Sequence, residues 1–342
     1  MELADAGLLL LSFLAPFLLL VLGLPPYLGL LVRKGRVSDD VHKSPPVKVP
    51  EPAGPFLFLG AMTGEIIAAV GFQSWVPVAI MLGSGVAFAI GLWDDLYDLG
   101  GKTKPLLLLL AGLAFVGAAL LKSNVYQTDL TFPILGDTAP HFFIYTALAV
   151  VTFPVVANAF NMMDAFNGEI SWFTLLTSLA VLFGVILREL FTTGYSFARV
   201  ASVLPLVAVA TAFLVFNRYP SRAFDGDSGS LMFGAMFAGI SIIGGVEIAA
   251  MIAIVPAILN SFYTLSSVRG FVERRKMTSR PTYIGKDGLL YASPEAGAPI
   301  TLTRLVLLAG PLSERDLVKN LVALTAVACL LSAVISVLTW VF

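Results

Sequence analysis

The sequence has little charge. Asp, Glu, Lys and Arg make up 13% of its 342 residues, and hydrophobic residues make up 58%. About a quarter of the residues of a soluble globular domain are charged, so a soluble fold is excluded. Apolar runs long enough to cross a bilayer recur from end to end, and a helix satisfies its own backbone hydrogen bonds in lipid. The sequence therefore predicts an all-α polytopic membrane protein.

Cysteine and histidine are nearly absent. The single cysteine, Cys329, lies in an apolar run, so no disulfide can form within the chain. The two histidines, His42 and His141, fall on opposite faces of the predicted membrane domain. This placement argues against a metal or acid–base site built from histidine.

Ten transmembrane helices are predicted from the apolar runs, and residues 1–342 are predicted to form one integral membrane domain. The first run is interpreted as a retained span, because it is too long for a signal-peptide core and no small-residue cleavage site follows it. Gly244, Gly245 and the polar Glu247 favour two helices over one long helix there. The predicted spans are about 7–32, 56–72, 76–93, 104–121, 142–159, 170–188, 198–216, 230–244, 247–268 and 319–341.

The distribution of Lys and Arg predicts the orientation. Ten spans divide the loops into two sets, and all 21 Lys and Arg residues except Lys122, Arg188 and Arg199 belong to one set or its margins. By the positive-inside rule that set is cytoplasmic. Four polar stretches fall on this side, "GLWDDLYDLGGKTK", "NAFNMMDAFNGE", "FNRYPSRAFDGDSGS" and "RRKMTSRPTYIGKDG". Polar clusters that share one membrane face indicate a single site assembled from several helix ends.

Asp94 and Asp95 close the third predicted span, where the helix dipole is already negative. The two carboxylates repel each other, and a metal ion or the nearby Lys102 or Lys104 would relieve that repulsion. An isolated Asp-Asp pair is typical of a solvated helix end. The three other polar stretches predicted on the same membrane face favour a functional site here.

The stretch "NAFNMMDAFNGE" spaces Asn158, Asn161 and Asp164 so that a helix would place them on one face. Amide and carboxylate oxygens are ligands that Mg²⁺ takes, and an amide can also pair with the edge of a pyrimidine. A polar interfacial turn is the alternative interpretation. Asparagine at this depth is costly unless it is paired, which favours a site.

The string "FDGDSGS" places Asp225 and Asp227 before the eighth predicted span, with Ser228 and Ser230 as candidate N-cap residues. Free N–H groups at that helix start would suit phosphate oxygens, and Asp227 would suit a metal that bridges them. Phe224 is either a membrane-interface anchor or a surface on which a base stacks.

The last cytoplasmic loop, 269–318, is expected to be an appended segment that contains a small β-hairpin. "YIGKDGLLYA" has turn residues between alternating apolar residues, as a hairpin requires. The basic run of Arg269 and Arg274 to Lys276 is read mainly as the positive-inside signal. Arg280 stands apart before Pro281, and its guanidinium could fork onto a phosphate.

These features suit magnesium-dependent phosphoryl transfer from a soluble nucleotide to a lipid. Together with "DVHKSPPVKVPEPAG", the motifs resemble those of the polyprenyl-phosphate N-acetylhexosamine-1-phosphate transferases, and the resemblance covers essentially the whole chain. Those ten-span enzymes move a sugar 1-phosphate from a UDP-sugar to polyprenyl or dolichyl phosphate and release UMP.

The resemblance implies roles for the motif residues. Asn161 and Asp227 would hold Mg²⁺, for which Mn²⁺ could substitute. Uracil would meet Asn167 and Phe224, Arg280 would hold the diphosphate, and the lipid phosphate would lie near Asp94 and Asp95, aided by Lys102 or Lys104. The implied catalytic set is Asp94, Asp95, Lys104, Asp164 and Arg280, and the implied substrate-binding set is Lys43, Glu51, Lys102, Asn158, Asn167, Asn217 and Phe224.

Within the family, the chain looks closer to the eukaryotic and archaeal dolichyl-phosphate GlcNAc-1-phosphate transferases. It lacks the histidine cluster of the bacterial enzymes and has "SRPTYIGKDGLLYA" in the last loop. The implied activity is GlcNAc-1-phosphate transfer from UDP-GlcNAc, the first step of lipid-linked glycan (N-glycan) assembly, with UDP-MurNAc-pentapeptide and UDP-GalNAc as alternative donors. The implied partners are the UDP-sugar and the lipid phosphate, without nucleic acid and with a homodimer as an option. The site would face the cytoplasm, from the plasma membrane of a prokaryote or the endoplasmic reticulum of a eukaryote.

Two other function classes are compatible with parts of the pattern. An anion transporter would place polar groups near mid-membrane, whereas Glu65 is the only charge well inside a predicted span. A lipid-phosphate hydrolase shares the metal and phosphate chemistry but would release phosphate without UMP. For a transferase, direct attack by the lipid phosphate and an aspartyl intermediate both stay open, and direct attack needs fewer assumptions.

Overall fold

The computed structural model describes residues 3–43, 45–122, 125–134, 136–138, 140–192, 196–268, 270 and 279–342. Arg269 and Arg274 to Lys276, the basic run of the last loop, lie outside the described residues. The helices are α1 (Leu3–Arg33), α2 (Gly54–Gly71), α3 (Val76–Tyr97), α4 (Thr103–Leu107), α5 (Leu109–Leu120), α6 (Phe142–Asn161), α7 (Glu169–Phe191), α8 (Phe197–Asn217), α9 (Gly226–Ile243), α10 (Glu247–Ala253), α11 (Val255–Ser267), α12 (Leu302–Leu307) and α13 (Glu314–Trp340).

The predicted polytopic helical fold is confirmed. Within the described residues, nine helices are long and apolar enough to cross a membrane when α4 and α5 are taken as one, and the pair α10–α11 would be a tenth. This pair differs from the single helix predicted over 247–268, because it bends by 63° at Ile254. Pro256, in the first turn of α11, has no N–H for the hydrogen bond that would continue the helix.

The last helix begins before the predicted span 319–341. Ser313 accepts a hydrogen bond from the N–H of Asp316 at 3.2 Å and donates to the Asp316 carboxylate at 2.7 Å. Such a cap satisfies free N–H groups in the first turn. The helix therefore starts at Glu314, which adds a polar turn to the apolar run.

Among the described residues, three short antiparallel strand pairs lie in the loops. They are β1 (Val37–Asp40) with β2 (Val47–Pro50), β3 (Leu130–Phe132) with β4 (Gly136–Thr138), and β5 (Thr282–Ile284) with β6 (Leu290–Ala292). The β5–β6 pair confirms the hairpin predicted in the last loop. The other two pairs were not predicted, because strands this short carry little alternating pattern.

Helix α9 lies at the centre of the bundle, and nearly all of its residues are buried. Glycines let its neighbours approach closely. A Cβ at Gly91 of α3 would lie 2.5 Å from the carbonyl oxygen of Asp227, and a Cβ at Gly234 of α9 would lie 2.6 Å from Ala157 of α6. The C-terminal parts of α3 and α6 are thereby held against α9.

A second apolar cluster joins the described part of the last loop to the helix ends. Leu290 of β6 and Leu302 of α12 pack with Leu317 and Leu321 of α13, and with Phe166 between α6 and α7. Burial of such side chains removes apolar surface from water. The hairpin segment is therefore packed onto the same end of the bundle as the α6–α7 loop.

Candidate active site

The start of α9 is capped by an aspartate from another helix. The carboxylate of Asp95, near the end of α3, accepts hydrogen bonds from the N–H groups of Asp227 at 2.7 Å and Ser228 at 3.0 Å. The expectation that Ser228 or Ser230 is the N-cap is wrong, because α9 has no side-chain cap of its own and the Ser230 hydroxyl donates to the carbonyl oxygen of Gly226 at 3.1 Å. The N–H groups that were expected to bind phosphate are thus occupied by Asp95.

Gly226 makes this cap possible. Its φ is +72°, and a Cβ there would lie 2.9 Å from both carboxylate oxygens of Asp95. Glycine has no Cβ and adopts positive φ readily. The backbone can therefore turn closely around the carboxylate.

Lys104 of α4 lies between two carboxylates. Its ammonium contacts Asp94 of α3 and is 2.6 Å from Asp227 of α9. The side chain of Lys104 is 14% exposed and that of Asp94 only 7%, so solvent screens this pair weakly. The sequence left Lys102 and Lys104 as alternatives. The structure brings Lys104 to the carboxylates, whereas Lys102 is exposed and contacts neither of them.

Asn161, at the end of α6, contributes an amide to the same group. Its NH₂ donates to Asp227 and, at 2.9 Å, to the hydroxyl of Ser230. One oxygen of Asp227 faces Asn161 and the other faces Lys104. We call Asp94, Asp95, Lys104, Asn161 and Asp227 the central cluster.

The central cluster has a donor set that fits a divalent cation. The carboxylates of Asp94 and Asp227 converge on one cationic atom, the nitrogen of Lys104, and the amide of Asn161 is adjacent to Asp227. Carboxylate and amide oxygens are ligands of the kind that Mg²⁺ takes. The amide of Asn161 presents its nitrogen to Asp227, so its oxygen would become a ligand only after the amide rotates.

A polar cavity of about 170 Å³ lies beside the loops that flank α6 and α9. In its wall the Ser38 hydroxyl donates to Glu51, and His42 stacks on Phe166 with ring centroids 4.2 Å apart. The cavity is lined by Ser38, Asp39, Asp40, Val41, His42, Glu51, Asp164, Ala165, Phe166, Asn167 and Phe224. The structure thus brings together four residues predicted from sequence, which are Glu51, Asp164, Asn167 and Phe224.

Lys43 organises the polar network behind this cavity. Its ammonium pairs with Glu314 of α13 and with Asp40 at 3.2 Å, and it lies 4.2 Å from the centroid of the Tyr219 ring. Burial by itself would lower the pKa of Lys43, but the hydrogen bond and charge of Glu314, followed by those of Asp40, raise the pKa above its ordinary value. Lys43 is therefore protonated at neutral pH and neutralised within the network.

Asn167 connects three segments in the same network. Its N–H donates to Glu314 at 3.0 Å, its amide NH₂ donates to Asp40 at 3.1 Å, and its amide oxygen accepts from the N–H of Ser221 at 2.8 Å. Only 3% of the residue is exposed. An amide NH₂ has two hydrogens, so one donor is left for a ligand.

Asp40, His42 and Glu314 also meet a geometric requirement of a metal site, with ligand atoms within 4.8 Å of one another. The structure thus places His42 beside two carboxylates, which the sequence did not predict. N–H donors already occupy those carboxylates, because Asp40 and Glu314 each accept from both Asn167 and Lys43. We interpret this group as an ion-pair network, and the central cluster fits a cation better.

Asp225 is fully buried, and neither of its carboxylate oxygens has a hydrogen-bond donor among the described residues. Burial, followed by repulsion from Asp164, raises the pKa of Asp225. Its backbone has a clear structural role, since its carbonyl oxygen accepts from the N–H of Gly54 at 2.9 Å. This bond joins the start of α2 to the start of α9.

Three predicted site residues, Asn158, Asn217 and Arg280, belong neither to the central cluster nor to the lining of the cavity. The amide of Asn158 donates to the carbonyl oxygen of Pro154 in its own helix at 2.7 Å. Asn217 is buried and donates to the carbonyl oxygen of Ala223 at 3.0 Å, which shapes the loop before α9. Arg280 is exposed, and the structure shows no ion pair for it with another described residue.

Asp40 and Glu314 belong to the site but were missed in the sequence. Asp40 lies inside the motif "DVHKSPPVKVPEPAG", in which only Lys43 and Glu51 are predicted as site residues. Glu314 lies in "SERD", and a Ser followed three residues later by an acid signals a helix start. That signal would have placed Glu314 in the first turn of the last helix, on the polar face.

Comparison with known proteins gives matches over most of the chain. The model of glycosyl transferase family 4 matches residues 77–245, which include the whole central cluster. A protein of Sulfolobus acidocaldarius, assigned as a UDP-N-acetylglucosamine–dolichyl-phosphate N-acetylglucosaminephosphotransferase, is 25% identical over 97% of this chain and 97% of its own. The Dictyostelium discoideum protein of that name is 24% identical over 67% of this chain and 60% of its own.

A bacterial relative extends the range of the match. The phospho-N-acetylmuramoyl-pentapeptide-transferase of Halalkalibacterium halodurans is 26% identical over 78% of this chain and 85% of its own. Over residues 77–245 the chain is similar to glycosyl transferase family 4, and over most of its length it is similar to relatives named as UDP-N-acetylglucosamine–dolichyl-phosphate N-acetylglucosaminephosphotransferases, as its motifs indicate.

Proposed function

We propose that this protein transfers GlcNAc-1-phosphate from UDP-GlcNAc to polyprenyl or dolichyl phosphate and releases UMP. The observation that carries the proposal is the convergence of Asp94, Lys104, Asn161 and Asp227 from four helices. The relatives named for this reaction supply the donor and the acceptor. The product would begin the assembly of a lipid-linked glycan.

The central cluster would hold Mg²⁺, or Mn²⁺ in its place, through Asp227 and Asn161. When bound, the cation would neutralise phosphate oxygens and so stabilise the charge of the transferring group. Lys104 would add a positive charge at the same place, since its ammonium already lies against Asp94 and Asp227. Asp95 would act at a distance from the substrate, by holding the first turn of α9 against α3.

Direct attack by the lipid phosphate is the simplest course for the reaction. An oxygen of the lipid phosphate would form a bond to the β-phosphorus of the UDP-sugar, and the bond from that phosphorus to the bridging oxygen would break. UMP would leave with the bridging oxygen. Asp94, Asp95 and Asp227 each accept from N–H donors or Lys104, which disfavours an aspartyl intermediate.

The cavity suits the uridine part of the donor. Its lining includes the carboxylates of Asp39, Glu51 and Asp164, which would accept hydrogen bonds from hydroxyl and N–H groups but repel phosphates. Phe224 supplies an aromatic ring, and the free hydrogen of the Asn167 amide can meet a base edge. The diphosphate would then lie toward Lys104. The choice of GlcNAc as the sugar is supported by the names of the relatives, because none of the described residues identifies an acetamido pocket.

The active site is proposed to face the cytoplasm. The support is the excess of Lys and Arg in the loops at its end of the bundle. UDP-sugars are soluble donors, so the site has to be open to water on the side that supplies them. The lipid acceptor would reach the same site from the bilayer.

The test is UMP release by the purified protein with polyprenyl phosphate and UDP-GlcNAc. Asp227→Asn keeps the side-chain size and removes the charge, so we expect it to abolish turnover while leaving the protein folded. Asp316→Asn is the matched control, because Asp316 is exposed and paired only at the surface. Turnover by Asp227→Asn within a few-fold of the unmodified protein would remove Asp227 from the site.

A further inference from the structure

The two oxygens of Asp227 are both engaged by donors of the protein itself. One accepts from the amide NH₂ of Asn161, and the other lies 2.6 Å from the ammonium of Lys104. Lys104 also contacts Asp94. A divalent cation that binds Asp227 therefore meets a positive charge that already occupies one of the oxygens.

The ammonium of Lys104 and a divalent cation bound to the same carboxylate would repel each other. An ammonium and a divalent cation on one carboxylate repel strongly where solvent is partly excluded, and the side chains of Lys104 and Asp94 are largely buried. The ammonium has to move before the cation binds.

A nucleotide diphosphate offers the ammonium another partner. Lys104 lies in the short helix α4, which is separated from α5 at Leu108, and its long side chain has rotamers that leave Asp227. A diphosphate near the central cluster would bring negative oxygens with which the ammonium can pair. The same diphosphate would attract the divalent cation to Asp227.

We propose that Lys104 is a built-in counter-cation of Asp227 that keeps the affinity for a free divalent cation low until a nucleotide diphosphate draws the ammonium away. The inference rests on the proposed function, because it assigns the order in which that site is filled. Cation and nucleotide would then bind together, with Lys104 moving from carboxylate to phosphate. Asn161 would turn its amide oxygen toward the cation in the same step, because its nitrogen faces Asp227 beforehand.

The experiment measures Mn²⁺ binding directly, through the loss of the electron paramagnetic resonance signal of free Mn²⁺ on titration with the full-length purified protein. Lys104→Met and Lys104→Gln remove the charge, and the glutamine can still donate to the carboxylates if the methionine variant fails to fold. Without nucleotide, we expect both variants to bind Mn²⁺ at least about tenfold more tightly than the unmodified protein. Lys104→Arg keeps the charge and should keep the weak binding.

Two controls locate the effect. Lys319→Met removes a charge that pairs with Asp316 on the exposed face of α13, so it should leave the Mn²⁺ affinity unchanged. Adding Asp227→Asn to Lys104→Gln should abolish the gain. With saturating UDP, the unmodified protein should bind Mn²⁺ more tightly and the gap to Lys104→Gln should narrow.

Equal Mn²⁺ affinity of the unmodified protein and Lys104→Gln without UDP would overturn the inference. A difference in Mn²⁺ affinity between these two proteins that stays the same when UDP is added would also overturn the inference. If these binding results hold but no UDP-sugar yields UMP, the proposed transferase activity fails while the competition at Asp227 stands. If UMP is released but the affinities are equal, only the competition fails.

Discussion

The carboxylate of Asp95 lies 2.7 Å from the backbone nitrogen of Asp227, and this contact joins the end of α3 to the start of α9. The same carboxylate accepts from the N–H of Ser228. A helix start needs acceptors for its free N–H groups, and here the acceptor comes from a different helix. The contact therefore sets both the position of Asp227 and its distance from Asp94.

Replacing Asp95 with Asn tests this positioning role. The amide keeps one acceptor but loses the charge that the two N–H groups favour, so we expect a loss of about 2 kcal/mol in the free energy of unfolding, the scale of a hydrogen bond to a charged group. Denaturant unfolding in detergent measures the loss, with UMP release measured in parallel. An inactive variant of unchanged stability would mean that Asp95 acts on the substrate and not through α9.

Gly91 provides a test of the packing that supports the same contact. Gly91→Ala would place a Cβ 2.5 Å from the carbonyl oxygen of Asp227, so α3 has to move away from α9, and stability and turnover should both fall. Gly117→Ala on α5 is the matched control, because no atom lies within 4 Å of its Cβ position. Alanine there should be neutral or stabilising by up to about 1 kcal/mol. Full turnover of Gly91→Ala would show that the close approach is dispensable.

Glu314→Gln tests the network behind the cavity. Glu314 accepts from the N–H of Asn167 and pairs with Lys43, so the loss of its charge should loosen the cavity wall without touching the central cluster. We expect KM for the UDP-sugar to rise while kcat changes little, as steady-state kinetics would measure. A fall in kcat at unchanged KM would place Glu314 in the chemical step instead.

Phe224→Ala tests whether the cavity holds the base. Loss of the ring should weaken UDP binding by about 1–3 kcal/mol, the scale of base–aromatic stacking, as isothermal titration would measure. Phe183→Ala, at an exposed position of α7, is the control and should not change the affinity. Equal UDP affinity in both variants would leave Phe224 as a membrane-interface anchor.

Cysteine labelling tests the proposed orientation of the protein in the membrane. In a Cys329→Ser background, a cysteine at Gly100 should react only with a reagent admitted to the cytoplasmic side, and a cysteine at Thr128 only from the other side. The two positions flank the span formed by α4 and α5. Reaction of both from one side would contradict the topology.

The sequence predicted the spans because each is a long apolar run, and it predicted the grouping of Asp94, Asn161 and Asp227 because polar residues at span ends share one face. It could not predict that Asp95 caps α9, since this hydrogen bond joins residues far apart in the chain. The choice of Lys104 over Lys102 likewise depends on the turn of α4. Asn167 was expected to face uracil, but most of its hydrogen bonds go to Asp40, Glu314 and Ser221, which only tertiary structure reveals.

The most direct measurement follows the β-phosphate of the donor. UDP-GlcNAc labelled with ³²P at the β-phosphate is incubated with the purified protein, polyprenyl phosphate and Mg²⁺, and the lipid and aqueous phases are separated. Transfer of GlcNAc-1-phosphate predicts that the label moves into the lipid and that the released UMP is unlabelled. Label that stays in the aqueous phase, whether as UDP, GlcNAc-1-phosphate or inorganic phosphate, would contradict the account.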